Sequence, residues 1–281
     1  MTPNSDSQSV ADNAPENLDL PAGMFRTGTG TGKTIVTIAK KLGNTEQVIN
    51  MSATYEKVPE EGGDLALFEG DIVLGTVEEM LAAEQSGDIK GIGIIGAQFR
   101  WPSRDIPYVT VPELAERVKA ATAHWQKHSP FRFIARTDQK DYLSFEKRNG
   151  CFSRVGRQGG KQVISLGVGC GLGAAIHEIG HALGLWHEQS RSDRDQHITV
   201  VLENVAPEHR HNFDKHVLDG KDLGKYDFGS IMHYPAKAFS TNGKDTIVTK
   251  HGESIGQRVG LSANDIAAVR MLYPNLPWPK H

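Results

Sequence analysis

At 281 residues, with 38% hydrophobic and 23% charged side chains, the chain has room for one large domain or two smaller ones and the composition of a globular protein. A net charge of −3 and a pI near 6.5 exclude the basic bias that nucleic-acid or anionic-membrane partners call for. Its longest weakly polar run, residues 166–176, is too short and too rich in glycine to span a bilayer, so no membrane helix is expected and the protein should be soluble.

Residues 1–20 are polar, carry Asn, Ser, Asp and Pro, and have the composition of a disordered lead-in without the basic-then-apolar pattern of a secretory signal. Gly32-Lys33-Thr34 invites a phosphate-loop reading. The earlier glycine that such a loop needs is replaced by Thr27, however, and β-branched residues from Thr34 to Ile38 point to a strand instead. Short apolar runs at 46–55 and 64–75 follow, and residues 77–85 have helical spacing. Phe68-Glu69-Gly70-Asp71 lies within the second of these runs, and by composition alone it is a turn with a solvated carboxylate.

From 112 to 125 the pattern is that of an amphipathic helix, with Leu114, Val118, Ala121 and Trp125 on one side, backing a sheet. Strands are predicted at 131–134, 142–145 and 162–167; the last is expected to border a cleft and to offer its edge to an extended peptide. Cys151 and Cys170 are the two cysteines, a disulfide in an exported protein or free thiols in a cytosolic one.

The strongest signal is HEIGHALGLWHE at 177–188. His177 and His181 are four residues apart, so on a helix they sit about 40° apart and can present two imidazole nitrogens to one metal ion. Ala175, Ile176, Ile179, Ala182 and Leu183 give that helix an apolar back to bury. Gly184 can end the helix in a left-handed conformation and return His187 to the same ion. Three neutral protein ligands leave a fourth position for water, as in a catalytic zinc site, and Glu178 beside the first ligand is the natural general base. Further on, Arg191, Asp193, Arg194 and Asp195 by themselves are the charges of a solvated loop, and His209, His211 and His216 are expected to be surface histidines. Ser262 is placed to cap a helix from about Ala263 to Leu272.

Ser230-Ile231-Met232-His233-Tyr234 resembles the Met-turn of the metzincins, and with Glu188 directly after the third histidine the chain resembles the astacin family of zinc metalloendopeptidases over about residues 92–275. That resemblance implies an α+β fold: a zincin-like catalytic domain at 92–281, with a twisted mixed sheet, an active-site helix and an irregular C-terminal subdomain, preceded by a propeptide at 1–91. It implies one Zn2+ ion on His177, His181 and His187, with Glu178 as base and then acid. Tyr234 would hydrogen-bond the oxyanion, although by itself it is equally a buried core tyrosine, and Met232 would form an apolar floor beneath the histidines.

The FxGD element resembles that of astacin propeptides, so Asp71 would be an inhibitory zinc ligand until cleavage near Lys90-Gly91, before the mature-like start at 101–108. The new N-terminus would then pair with Glu188, and the Arg and Asp residues at 190–195, a cluster the family shares, would have a structural ion-pair role. The resemblance also implies export, a Cys151–Cys170 disulfide, protein or peptide substrates and an activating protease. A second family bridge is absent, its places being taken by Pro130 and Asn275. Family members often favour acidic residues after the cleaved bond, for which Lys237 is the nearest basic candidate downstream of the Met-turn. The rivals from other classes are a catalytically silent binding module, against which Glu178 argues, and a nucleotide-binding protein, against which the incomplete loop argues.

Overall fold

The computed structural model describes residues 28–42, 45–61, 63–86, 99–215 and 222–278, with the backbone alone for 35–42, 45–52 and 83–86. The lead-in, the expected cleavage site at 90–91 and His216 lie outside the described residues.

Among the described residues, nine strands form one mixed sheet. The N-terminal region supplies β1 (Thr31–Leu42), β2 (Thr45–Val58), β3 (Leu65–Phe68) and β4 (Ile72–Thr76), joined antiparallel in sequence order and followed by helix α1 (Val77–Ser86). β1 already begins at Thr31, so Gly32 and Lys33 sit in a strand and no phosphate-binding turn forms; a Cβ on Gly32 would meet the Tyr55 ring at 2.4 Å. The rest of the sheet comes from β5 (Asp105–Thr110), β6 (Arg132–Ala135), β7 (Tyr142–Glu146), β8 (Cys151–Ser153) and β9 (Lys161–Leu166), giving the order β1-β2-β3-β4-β8-β9-β7-β5-β6.

The strand expected to border the cleft is interior. β9 is paired on both sides, antiparallel to β8 and parallel to β7, and β8 is the edge that the N-terminal strands meet. β4 joins it in parallel through Ile72 and Ser153, and the Ser153 N–H donates to the Asp71 carbonyl at 2.9 Å. The three residues of β8 are too few to show a period, which is why the edge was not visible in the sequence.

Helix α2 (Ala115–His128) buries Val118, Ala121, Thr122 and Trp125, and its Trp125 indole donates to the Ile176 carbonyl of α3 (Leu172–Ala182) at 3.0 Å. It packs against α3 as well as flanking β6, where the Phe133 N–H donates to Gln126. Trp101, Trp125, Phe131, Phe145, Ile164 and Ile179 belong to one apolar cluster that backs α3. Cys151 and Cys170 are bonded to each other, tying the β8 edge to the loop that enters α3. Beyond α3 the chain is mostly short 3-10 turns with one small ribbon, β10 (Ile198–Val200) with β11 (Ile247–Thr249), as expected of an irregular C-terminal part. Helix α4 (Ala263–Leu272) starts at a Ser262–Asp265 capping box, at the predicted position. Among the described residues, no helix is long and apolar enough to cross a membrane.

Candidate metal centre

α3 ends where its sequence says it should: Gly184 takes φ +105°, a conformation that costs a residue with Cβ, and the chain turns back so that His187 rejoins His177 and His181. Each imidazole is oriented through Nδ1. His177 donates to the Ile231 carbonyl and His181 to the Leu185 carbonyl, both at 2.8 Å, while His187 meets the Glu69 carboxylate at 2.7 Å. The three Nε2 atoms are thereby turned inward, buried, and without a hydrogen-bond partner among the described residues.

Asp71 completes the group. Its carboxylate oxygens lie 3.3, 3.7 and 3.2 Å from Nε2 of His177, His181 and His187, and all four ligand atoms fall within 4.8 Å of one another. A tetrahedral zinc centre with arms of about 2.0–2.1 Å has ligand–ligand edges of about 3.4 Å, so the donor set and its spacing fit that ion. Burial would raise the Asp71 carboxyl, but the close approach of the histidines, His187 foremost, outweighs it and holds the group well below the ordinary range. Burial pushes His177 down to about 4 and His181 down as well; His187, between Asp71 and Glu69, is carried up to about 9 in spite of its burial.

The β3–β4 turn delivers these carboxylates. Glu69 sits at φ +47° and Gly70 at +74°, and the Tyr234 hydroxyl donates to the Glu69 carbonyl, which fixes the unusual turn. The other Glu69 oxygen accepts from the Ser190 hydroxyl. The Tyr234 ring lies 4.7 Å from that of His187. Met232 packs under α3 so closely that a Cβ on Gly180 would meet its sulfur at 2.8 Å. Asp265 of α4 holds the loop that carries Met232, accepting from the Ser230 hydroxyl at 2.6 Å and the Ile231 N–H at 3.0 Å.

Glu178 points into the same enclosure with both carboxyl oxygens buried and no hydrogen-bond partner among the described residues. Burial and then the Asp71 charge push its pKa well up, with Arg258 opposing. Glu188 is turned away from the metal group. It accepts from the Asp227 N–H at 2.8 Å, has Arg191 at 3.5 Å, and is pushed up to about 8 by burial. It faces a cavity of about 140 Å³ whose walls include Phe99, Leu185, Asp227 and Asp265.

The structure thus brings His177, His181, His187, Glu178, Asp71 and Tyr234 to one point and places Glu188 at a cavity that His187 and Met232 also line. Arg191 pairs with Asp193 at 2.9 Å, so the Arg/Asp run makes the ion pairs expected of it. Glu69, Arg258, His209 and His211 depart from the sequence reading. Glu69 figures there only as part of a turn. Arg258 buries Nε and Nη2 without partners among the described residues, and its burial lowers it to about 10; Lys237, the basic candidate from the sequence, is exposed. His209 and His211 are not surface histidines, because Glu56 of β2 reaches them and covers them. Only for Arg258 is there a sequence signal, a lone arginine in a glycine-flanked stretch, and it is weak.

A sequence model described as Astacin, a peptidase family, matches residues 94–274. Blastula protease 10 of Paracentrotus lividus is 38% identical over 229 residues, which are 73% of this chain and 38% of that protein. Zinc metalloproteinase nas-13 of Caenorhabditis elegans is 38% identical over 248 residues, 82% of this chain and 53% of its own length. The chain therefore spans about half or less of the length of these curated relatives. High choriolytic enzyme 1, a hatching enzyme zinc-protease from Oryzias latipes, superimposes with a TM-score of 0.61 at 36% identity, over 64% of this chain and 96% of that one. With that match and the histidine geometry together, the chain belongs to the astacin family of zinc metalloendopeptidases.

Proposed function

We propose that this chain is the latent form of a secreted zinc endopeptidase, its catalytic unit beginning near residue 92 and its N-terminal strands acting as a propeptide. The observation that carries the reading is the convergence of three orphaned Nε2 atoms on Asp71, a carboxylate delivered from outside the catalytic unit. His177, His181 and His187 would hold the zinc ion, and Asp71 would take the position that water needs. When bound, the ion polarises the peptide carbonyl and lowers the pKa of a water molecule to roughly 7.

The chain's own groups do the rest. Glu178, already buried and uncompensated, takes the water's proton during attack and returns it to the leaving amine. Tyr234, now bound to the Glu69 carbonyl, is freed when the N-terminal strands leave and can donate to the oxyanion. Removal of β4 bares the edge of β8, where an extended substrate can pair through its main chain. The partners are then protein or peptide substrates and an activating protease. Arg258, buried near Asp71 and Glu178, is the group to receive an acidic substrate side chain next to the cleaved bond. Glu188 keeps a poorly compensated carboxylate at a cavity, and an ammonium from a new N-terminus would compensate it.

Zinc content and peptide cleavage measured before and after limited proteolysis near residue 90 test this reading. Zinc is expected in both forms, with turnover only after cleavage. Glu178→Ala in the cleaved form should keep zinc and lose on the order of 10²–10⁴ in kcat. Normal casein cleavage by that variant would refute the mechanism.

A further inference from the structure

Glu56 lies in β2, two strands away from Asp71, and is buried to 2% exposure. Its Oε1 accepts from His209 Nδ1 at 2.7 Å and from the Asn212 amide at 3.0 Å, with His211 Nε2 at 3.7 Å. Its Oε2 accepts from the Gly28 N–H at 2.9 Å. The receiving side is a single 3-10 segment, Pro207–Phe213. Burial alone would raise the carboxyl, yet these donors leave it below its ordinary value. His209 is shifted up by the same contact.

The receiving groups are held in place by neighbours outside the N-terminal strands. The His209 ring packs on Phe239 at 5.1 Å, and Phe213 packs edge-on to both Phe239 and Tyr234 at 6.1 and 5.9 Å. The pocket is thus built by the catalytic unit and only filled by β2. His211 Nε2 is buried with no hydrogen-bond partner among the described residues, a further donor turned toward the same carboxylate. Once Glu56 departs, His209 and the Asn212 amide lose their charged acceptor and are opened to solvent. A carboxylate of similar reach restores the match.

We propose that His209, His211 and Asn212 form a substrate subsite for an acidic side chain, which Glu56 occupies in the uncleaved chain. The inference rests on the reading that the N-terminal strands are removed from a working peptidase. The site is distinct from Arg258. It is joined to the metal group through Tyr234, whose ring touches His187, and then through Phe239. β2 lies two strands from the strand that carries Asp71 to the metal group, so the side chain this site selects belongs to a residue not adjacent to the cleaved bond.

The test uses the full chain after limited trypsin cleavage, with paired peptides carrying Glu or Gln at each of several positions on both sides of the bond. Wild type should favour Glu by about 10-fold in kcat/KM at one position not adjacent to the bond. In His209→Gln/Asn212→Ala that ratio should fall to within about 2-fold. His209→Arg, which keeps a donor and the charge, should restore it. Zinc content and melting temperature of each variant show whether it has folded, and only folded variants are compared. A Glu/Gln ratio near one at every such position in wild type, or a preference the double variant leaves unchanged, overturns the subsite. If cleaved wild type hydrolyses none of the peptides, the peptidase reading falls and takes the subsite with it; if it hydrolyses them without the preference, only the subsite falls.

Discussion

The two halves of the sheet are held to the metal centre by different kinds of force. Behind α3, the catalytic unit presses Trp125, Phe131, Phe145, Ile164 and Ile179 into one apolar cluster closed by the Cys151–Cys170 bond. On the other side, β1–β4 have a smaller cluster around Tyr55, Phe68, Ile72, Leu74 and Met80, with Val155 and Trp186 packed against it. Their grip on the site itself is made by three buried carboxylates, Glu56, Glu69 and Asp71, each facing histidine. Apolar burial is non-directional and scales with the area removed from water, and the larger cluster lies behind α3. A carboxylate is exchangeable, because water, a substrate side chain or a carbonyl can take its place. On the reading proposed above, the first half stays and the second is replaced.

Trp125→Ala should be the most damaging way to break that contrast. It empties a fully buried position and removes the bond to Ile176, and chemical unfolding should show a loss of about 3–5 kcal/mol. Asp71→Ala should leave the fold standing and raise the basal peptide-cleavage rate of the uncleaved chain by at least about 10-fold, or 1.4 kcal/mol. An unchanged basal rate would take Asp71 out of its proposed role. Ser262→Ala removes the cap that accepts from the Asp265 N–H at 2.9 Å and should cost about 1 kcal/mol in thermal unfolding.

The smallest effect belongs to the rim, where Arg148 lies 2.7 Å from Glu146 and 3.8 Å from Glu60. Burial would raise Glu146, but Lys161, Arg148 and Ser144 bring it down to about 2. A carboxylate with a depressed folded pKa stabilises above its unfolded value near 4.5, and that contribution fades as pH falls toward 2. Glu146→Gln should therefore shrink the acid loss of stability in that window, by under about 1 kcal/mol for a pair that solvent partly reaches. A pH–stability curve identical to wild type would show that the rim contributes nothing.

What the sequence displayed were local signals. The spacing of His177 and His181, the turn at Gly184, the apolar face of α2 and the Ser262 cap all operate within a few residues, and each element formed where its pattern lay. Contacts between distant segments were silent. Glu69 meets His187 across 118 positions and Glu56 meets His209 across 153, and no local period records either. For the same reason His209 and His211, in a polar stretch, had the look of surface residues until a strand from the other end of the chain covered them. β8 failed differently, since three residues between glycine-rich turns cannot display an alternation.

The anchoring of Ser230 and Ile231 by Asp265 also sets an order in time. Chains are made from the N-terminus, at about 5–20 residues per second. Asp71 leaves the ribosome before the first histidine of the metal group is translated, and Asp265 comes after the last. A chain that has just gained the support for its Met232 loop already carries the aspartate that faces the histidines. On the reading proposed above, the order of translation ensures that the inhibitor is made before the enzyme can be completed.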